Sequence, residues 1–592
     1  MGASPNFPTS SSPQTKRPPG IERTFGKLEE TSDTPKVHQG RTLILCFDGT
    51  AEEYGERNTN VVRLLSCLEQ SHPKQLVYYQ TGIGTIPTSY HRTSFGKWAC
   101  KITDQAVASH IEEHVCAGYR FLQSNWKEGD TICFFGFSRG AYVARALAGM
   151  LHTVGLLYAS HPQQVESAYK VYTTARGTKL GFNYKRDLCR VVKIDFLGVW
   201  DTVSSVGLLY SSTLPCSQSN SSVIVFRHAM ALDERRARFI PSPWRLSSAV
   251  KERGHEGWEC HGSNTNATDA AVSWTLRVRD IINIFFSSFI EWWLCHIMDR
   301  LGYHSGNGPK RVLIPKEGSP PDVKEVWFAG GHCDVGGGNE LDDKPGNECS
   351  DKDESKYSPA LANISLRWMI RELHEANEKY FLNVRWRPIR LACYGVILPE
   401  IPYTNDGCNT TVPKAAATRN NSVQHPSVRK FQPRDTDVEE LKKNPERAKF
   451  LRYQEFKTGV IYDRDFIKKD LAAPAYDELW KWDECTFGGI ISMLFWWFLE
   501  LAPLMTSVQN KHTFLWESKF RFNLFQPRHI PRDPTPDVYE GALSDSWVKF
   551  LEDRSKPRYH WSVSERMKIK PDYCPRPWRA DKNIEKNWTK YH

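Results

Sequence analysis

A short turn segment, Gly136-Phe137-Ser138-Arg139-Gly140, separates two stretches of different character. Residues 131–135 before it form an apolar run of strand length, and residues 141–150 after it are small and apolar residues that suit a helix. Glycine has no Cβ, so glycines at both ends of the segment let the chain turn sharply from strand to helix. The segment therefore predicts a strand–turn–helix unit that exposes Ser138 at a helix N-terminus. A tight turn without chemistry is the alternative interpretation.

Similar strand-like runs recur along the chain. Four of them cover residues 42–47, 75–79, 191–200 and 324–328, and polar or glycine-rich residues follow each. Segments with helical character, such as 104–125, lie between them. Near-continuous apolar strands separated by helices are typical of parallel sheets that are covered on both faces. The sequence therefore predicts an α/β fold with a mostly parallel sheet, helices on both faces and a site beyond the carboxyl ends of the strands.

Changes in composition predict the domain boundaries. Residues 1–40 are rich in Ser, Pro, Thr and Lys without periodicity, which predicts a disordered N-terminal tail. Residues 41–400 are predicted to form the catalytic domain, which a largely helical insertion at 202–323 interrupts. Residues 401–592 are predicted to form a largely helical C-terminal extension, with an aromatic and apolar segment at 485–505.

Charge and cysteine content narrow the functional classes. The 592 residues carry a formal net charge of +10 without zinc-finger spacing or an extended basic stripe, which argues against nucleic-acid binding. The 15 cysteines are scattered singly and form no Cys-x-x-Cys pair, a pattern typical of reduced thiols in an intracellular protein. The N-terminus is polar and lacks an apolar core, so we expect no signal peptide and a cytoplasmic location.

Two aromatic stretches bear on membrane contact. They cover residues 281–294 and 488–499, and both are shorter than the roughly 20 apolar residues of a membrane-spanning helix. A glutamate lies within the first stretch and directly after the second, which favours buried or interfacial helices. Paired tryptophans suit a membrane–water boundary and ordinary packing equally well. The sequence therefore leaves peripheral membrane association open.

A serine at a sharp strand-to-helix turn needs a base and an orienting acid to act as a nucleophile. In the α/β-hydrolase arrangement the acid and then the histidine follow the serine, and Asp201 and His332 lie near strand ends in that order. We therefore predict that His332 takes the proton of Ser138 and that Asp201 orients the imidazole. His228 is the alternative base. Asp334 is the alternative acid, although its position favours capping of the triple-glycine turn that follows, and Asp201 itself suits a helix cap.

An oxyanion hole requires two backbone donors. The amide of Arg139 is one candidate, and the loop after strand 42–47 offers Gly49 or Thr50 as the second. This loop is similar to the Asp-x-Asp-Gly-Thr loop of aspartate-nucleophile phosphatases, but Cys46 occupies the nucleophile position and cannot form an aspartyl-phosphate. The chain contains no P-loop and no EF-hand loop, and serine chemistry supplies its own nucleophile, so we predict no cofactor and no metal.

Four segments, taken in order, carry a family resemblance. They are residues 45–50 together with 58–61, 136–142, 196–203 and 327–338. On these motifs the region from Arg41 to Asn377 resembles the DUF2235 family, which contains the catalytic domain of Tle1-type phospholipase effectors of bacterial type VI secretion; the chain is similar to its large fungal branch. The resemblance implies an α/β-hydrolase fold and a triad that maps onto Ser138, Asp201 and His332. For the bacterial members it implies hydrolysis of phospholipid acyl esters, and it leaves room for calcium although the chain has no EF-hand loop.

The combined prediction is a serine carboxylester hydrolase that forms an acyl-enzyme on a phospholipid or another hydrophobic ester. The 202–323 insertion and the 485–505 segment are expected to form a lid or a lipid-facing surface, because both are dense in aromatic residues. Residues after about 400 do not resemble the bacterial membrane-targeting module. Two alternatives remain: another enzyme of the same fold, such as a short-chain esterase or a protease, and a non-catalytic, membrane-associated scaffold.

Overall fold

A computed structural model describes a defined part of the chain. The described residues are 40–50, 54–55, 58–82, 104–174, 178–203, 214–245, 320–338, 358–398, 461–462, 464–475, 497, 500–501, 504–509, 516–521, 523–532, 544–579 and 587–591. The predicted tail up to residue 39, the aromatic stretch 281–294 and most of the second stretch lie outside these ranges. None of the described helices combines the length and apolar character that crossing a bilayer requires.

Strands and helices alternate through most of the described chain. The strands are β1 (Thr42–Phe47), β2 (Gln75–Gln80), β3 (Thr131–Phe137), β4 (Leu156–Leu157), β5 (Cys189–Arg190), β6 (Ile194–Trp200), β7 (Val223–Ala231), β8 (Asp322–Phe328), β9 (Val396–Ile397), β10 (Ile461–Tyr462), β11 (Leu504–Gln509), β12 (Trp516–Arg521), β13 (Arg558–His560) and β14 (Thr589–Tyr591). The helices are α1 (Asn60–Cys67), α2 (Asp104–Asn125), α3 (Ser138–Val154), α4 (Val165–Thr174), α5 (Lys179–Leu188), α6 (His332–Gly336), α7 (Ala362–Tyr380), α8 (Pro388–Cys393), α9 (Arg464–Ala472), α10 (Asp545–Ser555) and α11 (Trp561–Ile569). Short 3-10 turns cover Pro162–Gln164 and Arg576–Trp578.

The central sheet has eight strands in the order β14-β13-β8-β7-β6-β3-β1-β2. Every neighbouring pair in it is parallel. The predicted α/β fold with a mostly parallel sheet is therefore confirmed. The strand predicted at 191–200 begins later, at Ile194, because that is the first residue of the strand that pairs with β7.

Alternate side chains of β1 show how the two faces of the sheet are covered. Leu43, Leu45 and Phe47 pack with residues of α2, α3 and α4. Ile44 and Cys46 point to the opposite face and pack with residues of α1 and α7. Each fully buried side chain of this size stabilises the fold by roughly 1.5–3 kcal/mol relative to exposure. Burial on both faces explains why the strands appear in the sequence as unbroken apolar runs.

Strand β7 lies between β6 and β8 inside the predicted insertion 202–323, and the sequence analysis missed it. The run Val223-Ile224-Val225-Phe226 follows polar turn residues and is rich in β-branched side chains. That run could have identified the strand. Without β7 the carboxyl ends of β6 and β8 would not be held in one sheet.

The C-terminal extension completes one edge of the sheet. Strand β13 pairs with β8, and β14 pairs with β13. Behind them Trp578 and Trp588 form a buried cluster with Met230 and Trp327 of β7 and β8. The sheet therefore extends beyond the predicted boundary at residue 400. Strands of three residues are too short to show a periodic pattern, so this part of the fold could not be predicted.

Candidate active site

The turn that carries Ser138 is sterically demanding. Ser138 is the first residue of α3 and has a φ of +57°, which is uncommon for a residue other than glycine. A Cβ at Gly140 would lie 2.2 Å from the backbone oxygen of Asp48, and a Cβ at Gly136 would lie 2.6 Å from the backbone oxygen of Gly140. Gly140 is therefore required for α3 to start this close to the end of β1, and Gly136 is required for the chain to turn from β3 into α3. The strained turn holds Ser138 at the carboxyl end of β3.

Asp201 and His332 form a buried pair at the same end of the sheet. Asp201 follows β6 and has a φ of +37°, while His332 begins the short helix α6 after β8. His332 Nδ1 lies 2.5 Å from Asp201 Oδ2, and neither side chain is more than 4% exposed. The amide of Ala231 in β7 donates to Asp201 Oδ1 over 3.0 Å. Three neighbouring strands therefore fix the carboxylate and the imidazole relative to one another.

The Ser138 turn and the His332 helix are in direct contact. The rings of Phe137 and His332 have centroids 4.6 Å apart, and a Cβ at Gly336 would lie 1.8 Å from the Phe137 ring. Helix α6 can therefore sit against β3 only because Gly336 has no side chain. In this conformation no hydrogen bond among the described residues joins the Ser138 hydroxyl to His332. In serine hydrolases the hydrogen bond between the serine and its base is often long until a substrate binds.

The carboxylate of Asp201 also binds an arginine that the sequence analysis missed. Arg528 Nη1 donates to Asp201 Oδ1 over 2.6 Å, and Arg528 Nη2 donates to Asp201 Oδ2 over 2.8 Å. The Arg528 side chain is 3% exposed and also donates to the backbone oxygens of Ala231 and Phe239. Because 327 residues separate the two side chains, no local pattern in the sequence could have found this contact.

The surroundings set the charge states of the pair. Burial by itself would raise the pKa of Asp201, but Arg528 and the hydrogen bond from His332 outweigh it and hold that pKa well below its ordinary value. Burial lowers the pKa of His332 below its ordinary 6.5, because the interactions with Asp201 only partly offset the loss of water. The resting pair near neutral pH is therefore an ionised carboxylate with a neutral imidazole.

The segment 233–239 supports His332 from a second side. Glu234 Oε2 accepts a hydrogen bond from the His332 amide over 3.1 Å, and Arg236 pairs with the same carboxylate at 2.8 Å. The Phe239 ring meets the His332 ring edge-on with centroids 4.7 Å apart. The charged side chains of Glu234 and Arg236 are both buried. Their segment, Ala231-Leu232-Asp233-Glu234-Arg235-Arg236, did not predict this burial from its sequence pattern.

The alternative base, His228, is occupied elsewhere. His228 Nε2 accepts from the Thr202 amide over 3.1 Å, so its proton is on Nδ1, which lies 3.1 Å from Glu325 Oε1. The side chain is fully buried. His228 therefore fixes the backbone beside Asp201 and has no free nitrogen for Ser138.

The alternative acid, Asp334, caps α6. Its Oδ2 accepts from the amide of Gly331 over 2.8 Å, at the N-terminus of that helix. This interaction is at the opposite end of α6 from the triple-glycine turn that it was expected to cap. The expected position was wrong because a carboxylate is favoured by the free amides of a helix N-terminus.

The candidate donors of the oxyanion hole differ in whether they already form a hydrogen bond. The Gly49 amide donates to Asp48 Oδ1 over 2.8 Å, so it is already used. Asp48 also accepts from the hydroxyls of Thr59 at 2.6 Å and Tyr79 at 2.7 Å, which marks it as a structural residue. Thr50 Oγ1 is buried and has no hydrogen-bond partner within the described ranges. Arg139 follows Ser138 in α3, so its amide is among those at the start of the helix.

Within the described ranges, no three or more His, Cys, Asp or Glu side chains are grouped so that they could hold a metal ion.

The full chain has a yeast relative. It is 27% identical to the "Uncharacterized protein YEL023C" of Saccharomyces cerevisiae over 631 residues, covering 94% of this chain and 83% of the relative. Solved structures match more weakly. An uncharacterized protein from Pseudomonas aeruginosa aligns at 16% identity with a TM-score of 0.28, covering 57% of this chain and 46% of that one. A Tle1 effector bound to the VgrG spike of the type 6 secretion system aligns at 17% identity with a TM-score of 0.20, covering 38% and 53%.

The chain therefore spans about half the length of the solved structures that it matches. The family comparison covers six of the eight strands of the central sheet, all except β13 and β14, together with the candidate site. The model of the catalytic domain of Tle1-like phospholipase effectors of type VI secretion matches residues 41–372, which include Ser138, Asp201 and His332. That match spans more than half of the 592 residues. The chain belongs to the family of T6SS phospholipase effector Tle1-like catalytic domains.

Proposed function

We propose that the protein is a serine carboxylester hydrolase that cleaves an acyl ester of a phospholipid or another hydrophobic ester. The observation that carries the proposal is the buried Asp201–His332 pair, 2.5 Å apart, next to the strained turn of Ser138. Membership of a phospholipase family supports the substrate class. The elements meet at the carboxyl ends of parallel strands, where α/β proteins place their sites.

In the proposed reaction His332 Nε2 accepts the proton of Ser138 Oγ while Oγ attacks the acyl carbonyl. The tetrahedral intermediate collapses, the ester C–O bond breaks, and His332 returns the proton to the leaving alcohol. The acyl group is then bonded to Ser138. A water molecule, deprotonated by His332, attacks this acyl-enzyme, and the fatty acid leaves as the proton returns to Ser138.

The charge states of the pair favour this chemistry. A general base must be unprotonated at the start, and the lowered pKa of His332 keeps its imidazole neutral near pH 7. The lowered pKa of Asp201 keeps the carboxylate ionised, so His332 Nδ1 remains the donor to it and Nε2 remains free to accept. Asp201 then stabilises the imidazolium as it forms.

We assign the oxyanion hole to the Arg139 amide and to Thr50. The Gly49 amide is excluded in this conformation because Asp48 accepts its hydrogen bond. The Thr50 hydroxyl is a buried group without a partner in the described part of the chain, and an oxyanion would give it one. Loss of one such donor typically lowers kcat by about 10²–10³-fold.

Lipid contact is a separate part of the proposal. The insertion residues 246–319 and most of the 485–505 segment lie outside the described residues, so the lid and the lipid-facing surface stay predictions. Trp497 is described, and its ring meets that of Phe525 with centroids 6.0 Å apart. This contact favours a packing role for Trp497. Cytoplasmic location, peripheral membrane association and the absence of a nucleic-acid partner also stay predictions.

The experiment that tests the proposal measures fatty-acid release by the purified full-length protein. The substrates are phosphatidylcholine vesicles and a series of aryl esters with short, medium and long acyl chains. We expect release from the vesicles and from long-chain esters, and no release by Ser138→Ala. Preference for short soluble esters would replace the lipase assignment by a short-chain esterase. If none of the substrates is hydrolysed, the result would favour the alternative of a non-catalytic scaffold protein.

A further inference from the structure

Three side chains of the C-terminal extension hold the segment 233–239, which lies against His332. We call Glu500, Asn523 and Arg528 together the C-terminal clamp. Glu500 is fully buried. Its Oε1 accepts from the Ala237 amide over 2.5 Å. Its Oε2 accepts from Asn523 Nδ2 over 2.6 Å. All three residues lie outside the region 41–372 that matches the family model.

Asn523 and Arg528 continue the clamp toward the site. Asn523 Nδ2 donates to the backbone oxygen of Arg235 over 2.7 Å. Leu524 and Phe525, which precede Arg528, both have positive φ, so the backbone turns sharply before it reaches Asp201. Arg528 then donates to both oxygens of the Asp201 carboxylate. Backbone conformations of this kind persist only when the surrounding contacts fix them.

We propose that Arg528 is a positioning residue for the reaction, because its guanidinium fixes the plane and the charge of the Asp201 carboxylate that orients His332. The inference rests on the proposed function. The planar fork of an arginine matches a carboxylate with two parallel hydrogen bonds, which a lysine cannot reproduce. The catalytic centre would thus be complete only with a residue of the C-terminal extension.

The charged groups around His332 determine the sign of the expected pH effect. Asp201 faces it from β6, Glu234 and Arg236 face it from the segment 233–239, and Arg528 lies behind Asp201. Removal of the positive charge of Arg528 makes the site more negative, which favours the imidazolium. The acid limb of the pH–rate profile should then move to higher pH. A lysine at this position keeps the charge, so the limb should stay in place.

The test compares Arg528→Gln and Arg528→Lys in the full-length protein by pH profiles of kcat/KM. The matched control is Arg367→Gln, because Arg367 is another buried arginine that pairs with a buried carboxylate, Asp470, away from the site. We expect Arg528→Gln to lower kcat/KM by about 100-fold, as a misplaced catalytic group does, and to move the acid limb upward. Arg528→Lys should lower kcat by about 10-fold without moving the limb, since the charge remains but the fork is lost. Arg367→Gln should change neither kcat/KM nor the position of the acid limb.

The outcomes separate this inference from the proposed function. If wild-type protein neither hydrolyses esters nor reacts with a fluorophosphonate, the proposed function fails and the role of Arg528 falls with it. If the wild type is active but both Arg528 variants behave like Arg367→Gln, only the inference is wrong. If Arg528→Gln does not fold, the Lys variant decides: unchanged kcat in it would refute positioning by the bidentate contact.

Discussion

Replacement of Asp201 by asparagine should damage stability as well as catalysis. In serine hydrolases the same change leaves the fold intact and lowers kcat by about 10⁴-fold, because the histidine loses its orienting partner. Here Asp201 also neutralises Arg528, whose side chain is 3% exposed. The asparagine amide carries no charge that could neutralise the guanidinium. It also has one acceptor oxygen where the carboxylate has two. Breaking a buried ion pair by removing one partner costs about 3–5 kcal/mol.

The magnitude agrees with the electrostatics of the pair. The contacts of 2.6 and 2.8 Å between Arg528 and Asp201 place the charge centres about 4 Å apart. At an effective dielectric constant of about 20 this separation corresponds to about 4 kcal/mol. The folded-state pKa of Asp201 is lowered, so this stabilisation is present above the unfolded-state pKa of about 4 and is lost as the pH falls further.

The assay is denaturant unfolding combined with fatty-acid release, for wild type, Asp201→Asn and Asp470→Asn. Asp470 is the matched control because it is fully buried, pairs with Arg367 and accepts from the Ala360 amide over 2.9 Å. Both variants should lose about 3–5 kcal/mol of unfolding free energy, and only Asp201→Asn should lose hydrolysis. Wild-type stability in Asp201→Asn would refute the ion pair with Arg528. Loss of hydrolysis in Asp470→Asn would show that destabilisation alone removes activity.

His332, Gly140 and Tyr591 each allow a further test of the structure. The acid limb of kcat/KM should lie below pH 6.5, because burial lowers the pKa of His332; a limb above that value in a pH–rate profile would contradict it. Gly140→Ala should cost about 1–3 kcal/mol and abolish fluorophosphonate labelling, since its Cβ would meet backbone oxygens beside Ser138. Gly118→Ala is the control: its Cβ would meet only side-chain atoms, of Phe47 at 2.9 Å and Leu147 at 3.0 Å, so it should keep the label. Tyr591→Phe should lower the unfolding free energy by about 1–3 kcal/mol with unchanged kcat, because it removes a 2.6 Å hydrogen bond to buried Glu372; unchanged thermal stability would argue against that contact.

The sequence predicted those strands and helices whose signal lies within the element itself. β1 and β3 are unbroken apolar runs, and the bounds predicted for β1 and for α2 are those of the structure. The elements that it missed depend on partners far away in the chain. β13 and β14 have three residues each and become strands only because β8 offers them an edge. β7 carried a local signal at 223–226, but that signal lay within a segment interpreted as an insertion.

The residues of the candidate site could be predicted from the sequence, but their contacts could not. Ser138, Asp201 and His332 could be named because each lies at or near the end of a recognisable strand. Their chemical environment could not be derived, because Arg528 reaches Asp201 across 327 residues. Gly49 was a reasonable oxyanion donor by position, yet its amide binds Asp48, and only the geometry of that loop reveals the competition.

A fluorophosphonate reacts covalently with an activated serine, so its reaction with the protein shows whether Ser138 is the nucleophile of an esterase. The measurement is the intact mass of the full-length protein after reaction, followed by peptide mapping of the modified residue. We expect one phosphonyl group on Ser138, and none on Ser138→Ala or His332→Ala under the same conditions. Equal labelling of Ser138→Ala, or no labelling of folded wild-type protein, would contradict it.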